Sequence, residues 1–116
     1  MAAALVTHAT NVDVVEGICA LAKNLSVQDA HKVATVRAGM VPLLAAAITA
    51  HTVSHAGLVA AAVGALGCIA TRNTSHRQLI DASASVQVAL RTAAAQHPAS
   101  TPAGKFVGEV FLPFYP

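Results

Sequence analysis

Apolar positions in this chain recur at steps of three and four, and short polar or glycine- and proline-containing stretches interrupt them. Over 12–25 the stripe Val14, Val15, Ile18, Leu21, Ala22 and Leu25 predicts one face of a helix, with Asn11 placed to cap it. "SVQD" breaks the pattern, and a short helix is predicted over 29–38. Gly39 ends it, because glycine takes the left-handed backbone conformation without a Cβ penalty. Pro42 then suits the first turn of a helix over 41–50, where a missing N–H leaves no bond unmade. Gly39 and Pro42 together mark a tight structural corner. A long apolar helix is predicted over 54–71 and "RNTS" is the turn after it. Ser75 and Gln78 have the capping-box spacing and open a short helix over 75–82. Further helices are predicted over 85–96, closed by His97-Pro98, and over 102–112. Residues 1–11 read as an N-terminal tail and 113–116 as a C-terminal one.

The order long, short, medium then repeats. Ala20-Leu21 returns as Ala65-Leu66 (65 − 20 = 45), and at the same spacing His31-Lys32 meets His76-Arg77 and Val41 meets Val86. A period of this size is that of stacked helical repeats. The corner recurs in weaker form: Gly39 corresponds to Ala84 or Ser83, depending on a one-residue gap.

Composition agrees with close stacking. The chain of 116 residues is 55% hydrophobic but 3% aromatic, so its apolar content is mainly Ala, Val and Leu. Small side chains let helices approach closely, but they give a compact unit of this length a thin core. Burial against neighbouring chain or a partner is therefore expected. The net charge is +2 and the basic residues are scattered, with no cluster that suggests a nucleic-acid surface. "MAAALV" lacks the basic region of a secretory leader and meets His8 too soon, so no secretory signal is expected. The longest apolar run, 57–70, is shorter than the roughly 20 residues of a membrane-spanning helix, so no membrane association is expected. Cys19 and Cys68 sit among apolar residues and read as buried thiols of a reducing compartment, cytoplasmic or nuclear.

"VATVRAGMVPLLAAAI" resembles the armadillo-repeat pattern, in which a short first helix ends at an alanine-glycine corner and an apolar-proline-x-leucine run opens the second. "VAAAVGALGCIATRNTSHRQLIDASASVQVAL" resembles the third helix and the opening of the next repeat. More narrowly, "AAITAH", "ALGCIATRNTSHRQLIDAS" and "AAAQHP" are similar to the carboxy-terminal repeats of the armadillo-repeat-containing protein six family. The resemblance implies an all-α, armadillo-type α-solenoid: a right-handed superhelix of three-helix repeats whose third helices line a groove for a protein or extended peptide. It divides the chain into a third helix and next first helix (12–38), the second and third helices of a central repeat (39–72), and an incomplete following repeat (73–112). The tryptophans and asparagines with which nuclear-import adaptors hold peptides do not carry over. The chain has no Trp, and Lys23 and Cys68 stand at the asparagine positions. Solenoids generally need about three repeats, so either longer chain or a partner, or self-association through open repeat ends, is expected to cover the faces.

No reactive constellation emerges. His51 and His55 are spaced i, i+4 but span a predicted turn, with no cysteine or carboxylate beside them to complete a metal set. His31 and His76 recur at equivalent positions and read as capping or packing residues. The two cysteines have no basic neighbour to activate them. Asp13, Glu16, Asp29, Asp81 and Glu109 are dispersed, and "GLVAAAVG" lacks the ending of a phosphate loop. The expectation is a non-catalytic interaction module without cofactor. Lys23, Asn24, Arg72 and Asn73, near the ends of the predicted third helices, are the candidate groove or rim contacts. Which face of helix 54–71 lines the groove is left open by its period.

Overall fold

The computed structural model describes residues 2–51, 55–71 and 73–97, all helices and short connections. Seven helices occupy them: α1 (Ala2–Thr7), α2 (Val12–Leu25), α3 (Asp29–Arg37), α4 (Met40–His51), α5 (Ala56–Ala70), α6 (Thr74–Ala82) and α7 (Ala84–Gln96). There is no strand among the described residues. The helix expected over 102–112 and the tail 113–116 lie outside them.

Local chemistry sets the helix ends. Asn11 caps α2, its Oδ1 accepting the Val14 N–H at 3.3 Å. Gly39 has φ +80°, the left-handed turn expected of it, and the axes of α3 and α4 swing by 76° there. Pro42 lies in the first turn of α4. The second corner is built differently: Ser83 ends α6 and begins α7, and its Oγ accepts the Val86 N–H at 3.4 Å. With an extended backbone (φ −80°, ψ 115°), it has no need of glycine. The opening of α6 corrects the sequence reading. Asn73, not Ser75, is the cap, and its Oδ1 takes the His76 N–H at 2.9 Å. Asparagine's short acceptor caps as well as serine's, and here it stands two residues earlier.

The N-terminal tail is also corrected. Ala2–Thr7 form α1, which packs on α2 and α4 and buries Leu5. The His51 Nε2–H donates to the Ala9 carbonyl at 2.9 Å, tying the end of α4 to the link after α1.

Packing follows the repeat. α5, α6 and α7 begin 44, 45 and 44 residues after α2, α3 and α4 (12 to 56, 29 to 74, 40 to 84). The widest contacts join corresponding helices, α2 with α5 and α4 with α7, while α4 also packs on α5. Met40, Leu44 and Ile48 of α4, Leu58, Leu66 and Ile69 of α5, Ile80 of α6 and Leu90 of α7 form the fully buried centre. The buried line of α2 is Val15, Cys19 and Ala22, continued by Ser26 at its end; of the expected stripe Val15 and Ala22 are buried and Ile18 packs against the core, but Leu21 is 47% exposed. Lys32 crosses from α3 to donate from its ammonium to the Thr71 carbonyl at the end of α5. A cation there complements the negative end of the helix dipole. No single helix among the described residues is long and apolar enough to cross a membrane.

Candidate functional site

The face shared by α2 and α5 carries a groove of about 420 Å³. Ala20, Lys23 and Asn24 form its α2 wall; Ala60, Ala61 and Gly64 of α5 form its floor, with Cys68 at one end. α5 turns one side to the core and another to this groove. Val59, Ala62 and Val63 point into the core, and the groove takes Gly57, Ala60, Ala61, Gly64 and Cys68.

Two glycines of α5 leave room on this face for side chains of α2. A Cβ at Gly64 would stand 2.9 Å from Lys23 Cδ, and one at Gly57 would collide with the Glu16 carboxylate. The Glu16 carboxylate and the outer part of the Lys23 side chain therefore rest on bare backbone of α5, seven residues apart on each helix, which is two turns. The signal for this was present in the sequence as glycines seven apart in an otherwise alanine-rich helix, but the expected site did not include them.

Of the four expected contacts, Lys23 and Asn24 meet at the groove and both are exposed. Asn73 does not join them, because its side chain is committed to capping α6. Arg72 lies outside the described residues. The repeat equivalence of His31 and His76 also fails in detail: His31 is exposed, whereas His76 is half-buried and its Nδ1 has no partner. Lys32 and Arg77 likewise differ, since Arg77 pairs with Asp81 at 2.8 Å within its own helix.

The chemistry around the groove is unreactive where it is buried. Cys19 is fully buried behind α2, and burial, aided by the Glu16 charge, pushes its thiol up to about 11. Both cysteines are free, with Cys68 half-buried at the groove end. The His51 and His55 rings lie 5.8 Å apart, and among the described residues no group of three or more His, Cys, Asp or Glu is placed to hold a metal ion.

Comparison with protein-family models, with curated proteins and with solved structures finds no match for this chain. Its class therefore rests on its own architecture, an all-α protein in which α2 packs on α5 and α4 on α7.

Proposed function

We propose that the chain is a non-catalytic, armadillo-type interaction module that holds an extended segment of a partner protein along the α2–α5 groove. The pairing of α2 with α5 and of α4 with α7 supports a superhelical stack of repeats, because in such stacks helices of one unit pack on their counterparts in the next. The observation that carries the reading is the groove itself: a floor of Gly64, Ala60 and Ala61 beside Lys23 and Asn24. An extended peptide presents unpaired backbone N–H and C=O groups. Asn24 has a carboxamide that both donates and accepts, and Lys23 donates to carbonyls. Ala60 and Ala61 are the part of the floor that Lys23 and Glu16 leave uncovered, and their small side chains let a peptide backbone approach within reach of both. A protein of this kind works in the cytoplasm or nucleus, with a protein or peptide as its only ligand class.

A second reading, self-association, draws on exposed apolar residues away from the groove, Leu79 (48%) on α6 and Val88 (57%) on α7. One experiment separates the two. Peptides selected from a random library on the 116-residue chain are titrated calorimetrically against the wild type, Ala61→Gln and Leu79→Ser/Val88→Ser. Groove binding requires that Ala61→Gln, with an unchanged helical spectrum, weaken the peptide at least tenfold while the double variant binds normally. Full binding by Ala61→Gln would refute it. Loss of a concentration-dependent dimer in the double variant would support self-association.

A further inference from the structure

The buried line of α2 runs Val15, Cys19, Ala22 and then Ser26. Ser26 is fully buried, yet its hydroxyl has no hydrogen-bond partner. Leaving a buried hydroxyl unpaired carries its full desolvation penalty, whereas alanine would fit the same line without it. Ser26 forms a wall of a cleft of about 570 Å³ at the end of α5, together with Gln28, Asp29, Lys32, Cys68 and Thr71.

Three positive features converge there. Lys32 is 2% exposed, and its ammonium makes one hydrogen bond, to the Thr71 carbonyl, leaving two N–H groups. Asp29 pairs with it only loosely, at 3.6 Å, and its side chain is 88% exposed. The nine-residue helix α3 starts in the cleft with Gln28 at the cap position, and that side chain makes no capping bond. Its first-turn N–H groups therefore lack the acceptor that Asn11, Asn73 and Ser83 give to α2, α6 and α7. A helix N-terminus, a buried ammonium and an unpaired hydroxyl together make an acceptor site for an anion. The nearby Asp29 charge sets a limit on how much negative charge fits, and one unit suits it better than two.

We infer that the cleft receives the carboxylate of an aspartate or glutamate side chain, carried by the segment that occupies the α2–α5 groove. Cys68 lines both spaces, so a chain leaving the groove along α5 passes directly over the cleft. The carboxylate accepts from the Ser26 hydroxyl, from Lys32 and from the first N–H groups of α3. This assignment rests on the groove reading for its source of carboxylate, but the cleft is testable alone.

The test is a ¹⁵N–¹H titration of the 116-residue chain with N-acetyl-aspartate N′-methylamide, its asparagine counterpart and inorganic phosphate, on the wild type, Ser26→Ala and Lys32→Met. The aspartate probe should shift the amides of Asp29, Ala30 and His31 saturably, and the asparagine probe should not. Ser26→Ala should fold at least as stably as the wild type and bind the aspartate probe roughly tenfold more weakly, the loss of one hydrogen bond to a charged group. Equal response to the asparagine probe, tighter binding of phosphate, no saturable shift, or an unaffected Ser26→Ala would each overturn the assignment. If the aspartate probe binds as stated while Ala61→Gln leaves selected peptides bound, the cleft stands and the groove reading falls.

Discussion

Gly39 shows how much one residue can fix. Its φ of +80° is in the left-handed region, and a Cβ there would meet nothing within 4 Å. Substitution is therefore opposed by backbone conformation alone. Gly39→Ala should cost about 1–2 kcal/mol in a urea melt, and Gly39→Asn less, since asparagine tolerates that region better. Equal stability of Gly39→Ala and wild type would mean the corner is not left-handed in solution. Cys19 gives a second prediction at this scale. Its thiol is raised from an ordinary value of 9.0 to about 11, so the folded chain holds that proton more tightly than the unfolded one. The sign follows: this contribution is complete below pH 9 and is lost as pH rises towards 11. At neutral pH a disulfide reagent should label Cys68 well before Cys19, and Cys19 only at the rate of unfolding. Residues whose role is local were legible in the sequence for this reason: Asn11 and Gly39 act through their own backbone neighbours. Ser75 was misread because two adjacent acceptors compete for one helix end, and Asn73 takes the N–H.

Among the elements, α2 and α5 hold the functional reading. The helix limits of α2 followed from its pattern, but its inward face only in part. Alanine and cysteine count as apolar wherever they fall, so Leu21 and Leu25 drew the expected stripe towards themselves. The partner decides otherwise. The face of α2 turned to the core carries Val15, Cys19, Ala22 and then Ser26, and Leu21 is left outside. A contact between helices dozens of residues apart cannot be read from the period of either one. Gly64→Ala isolates the consequence. The added methyl displaces only the flexible end of Lys23, and alanine gains about 0.5–1 kcal/mol of helix propensity over glycine. The variant should melt no lower than wild type yet bind groove peptides more weakly, because Lys23 is moved. Unchanged peptide affinity with Lys23 displaced would remove that lysine from the site.

At the scale of the whole molecule the all-helical class was the most legible feature. The spacing of Ala20-Leu21 and Ala65-Leu66 places α2 and α5 in corresponding positions, and those helices do pack together. The end of the stack was less legible. α1 was taken for tail because six residues of Ala, Leu, Val and Thr are too short to show a period, and it is held by Leu5 and by its contacts with α2 and α4. The centre joins α4, α5 and α7, so damage there should be felt by both units at once. Leu66→Ala should cost about 2–5 kcal/mol and lower a single cooperative transition. Two separate transitions in the variant would show that the units fold independently.

A groove that binds an extended segment has to show it where the helices place it. The most direct measurement is ¹⁵N–¹H mapping of a library-selected peptide on the 116-residue chain. The expected result is a continuous set of perturbed amides at Ala20–Asn24 and at Gly57–Cys68, with α7 unmoved. Perturbations centred instead on Leu79 and Val88, or on the Leu5 and Leu43 end of the stack, would contradict a groove function for the α2–α5 face.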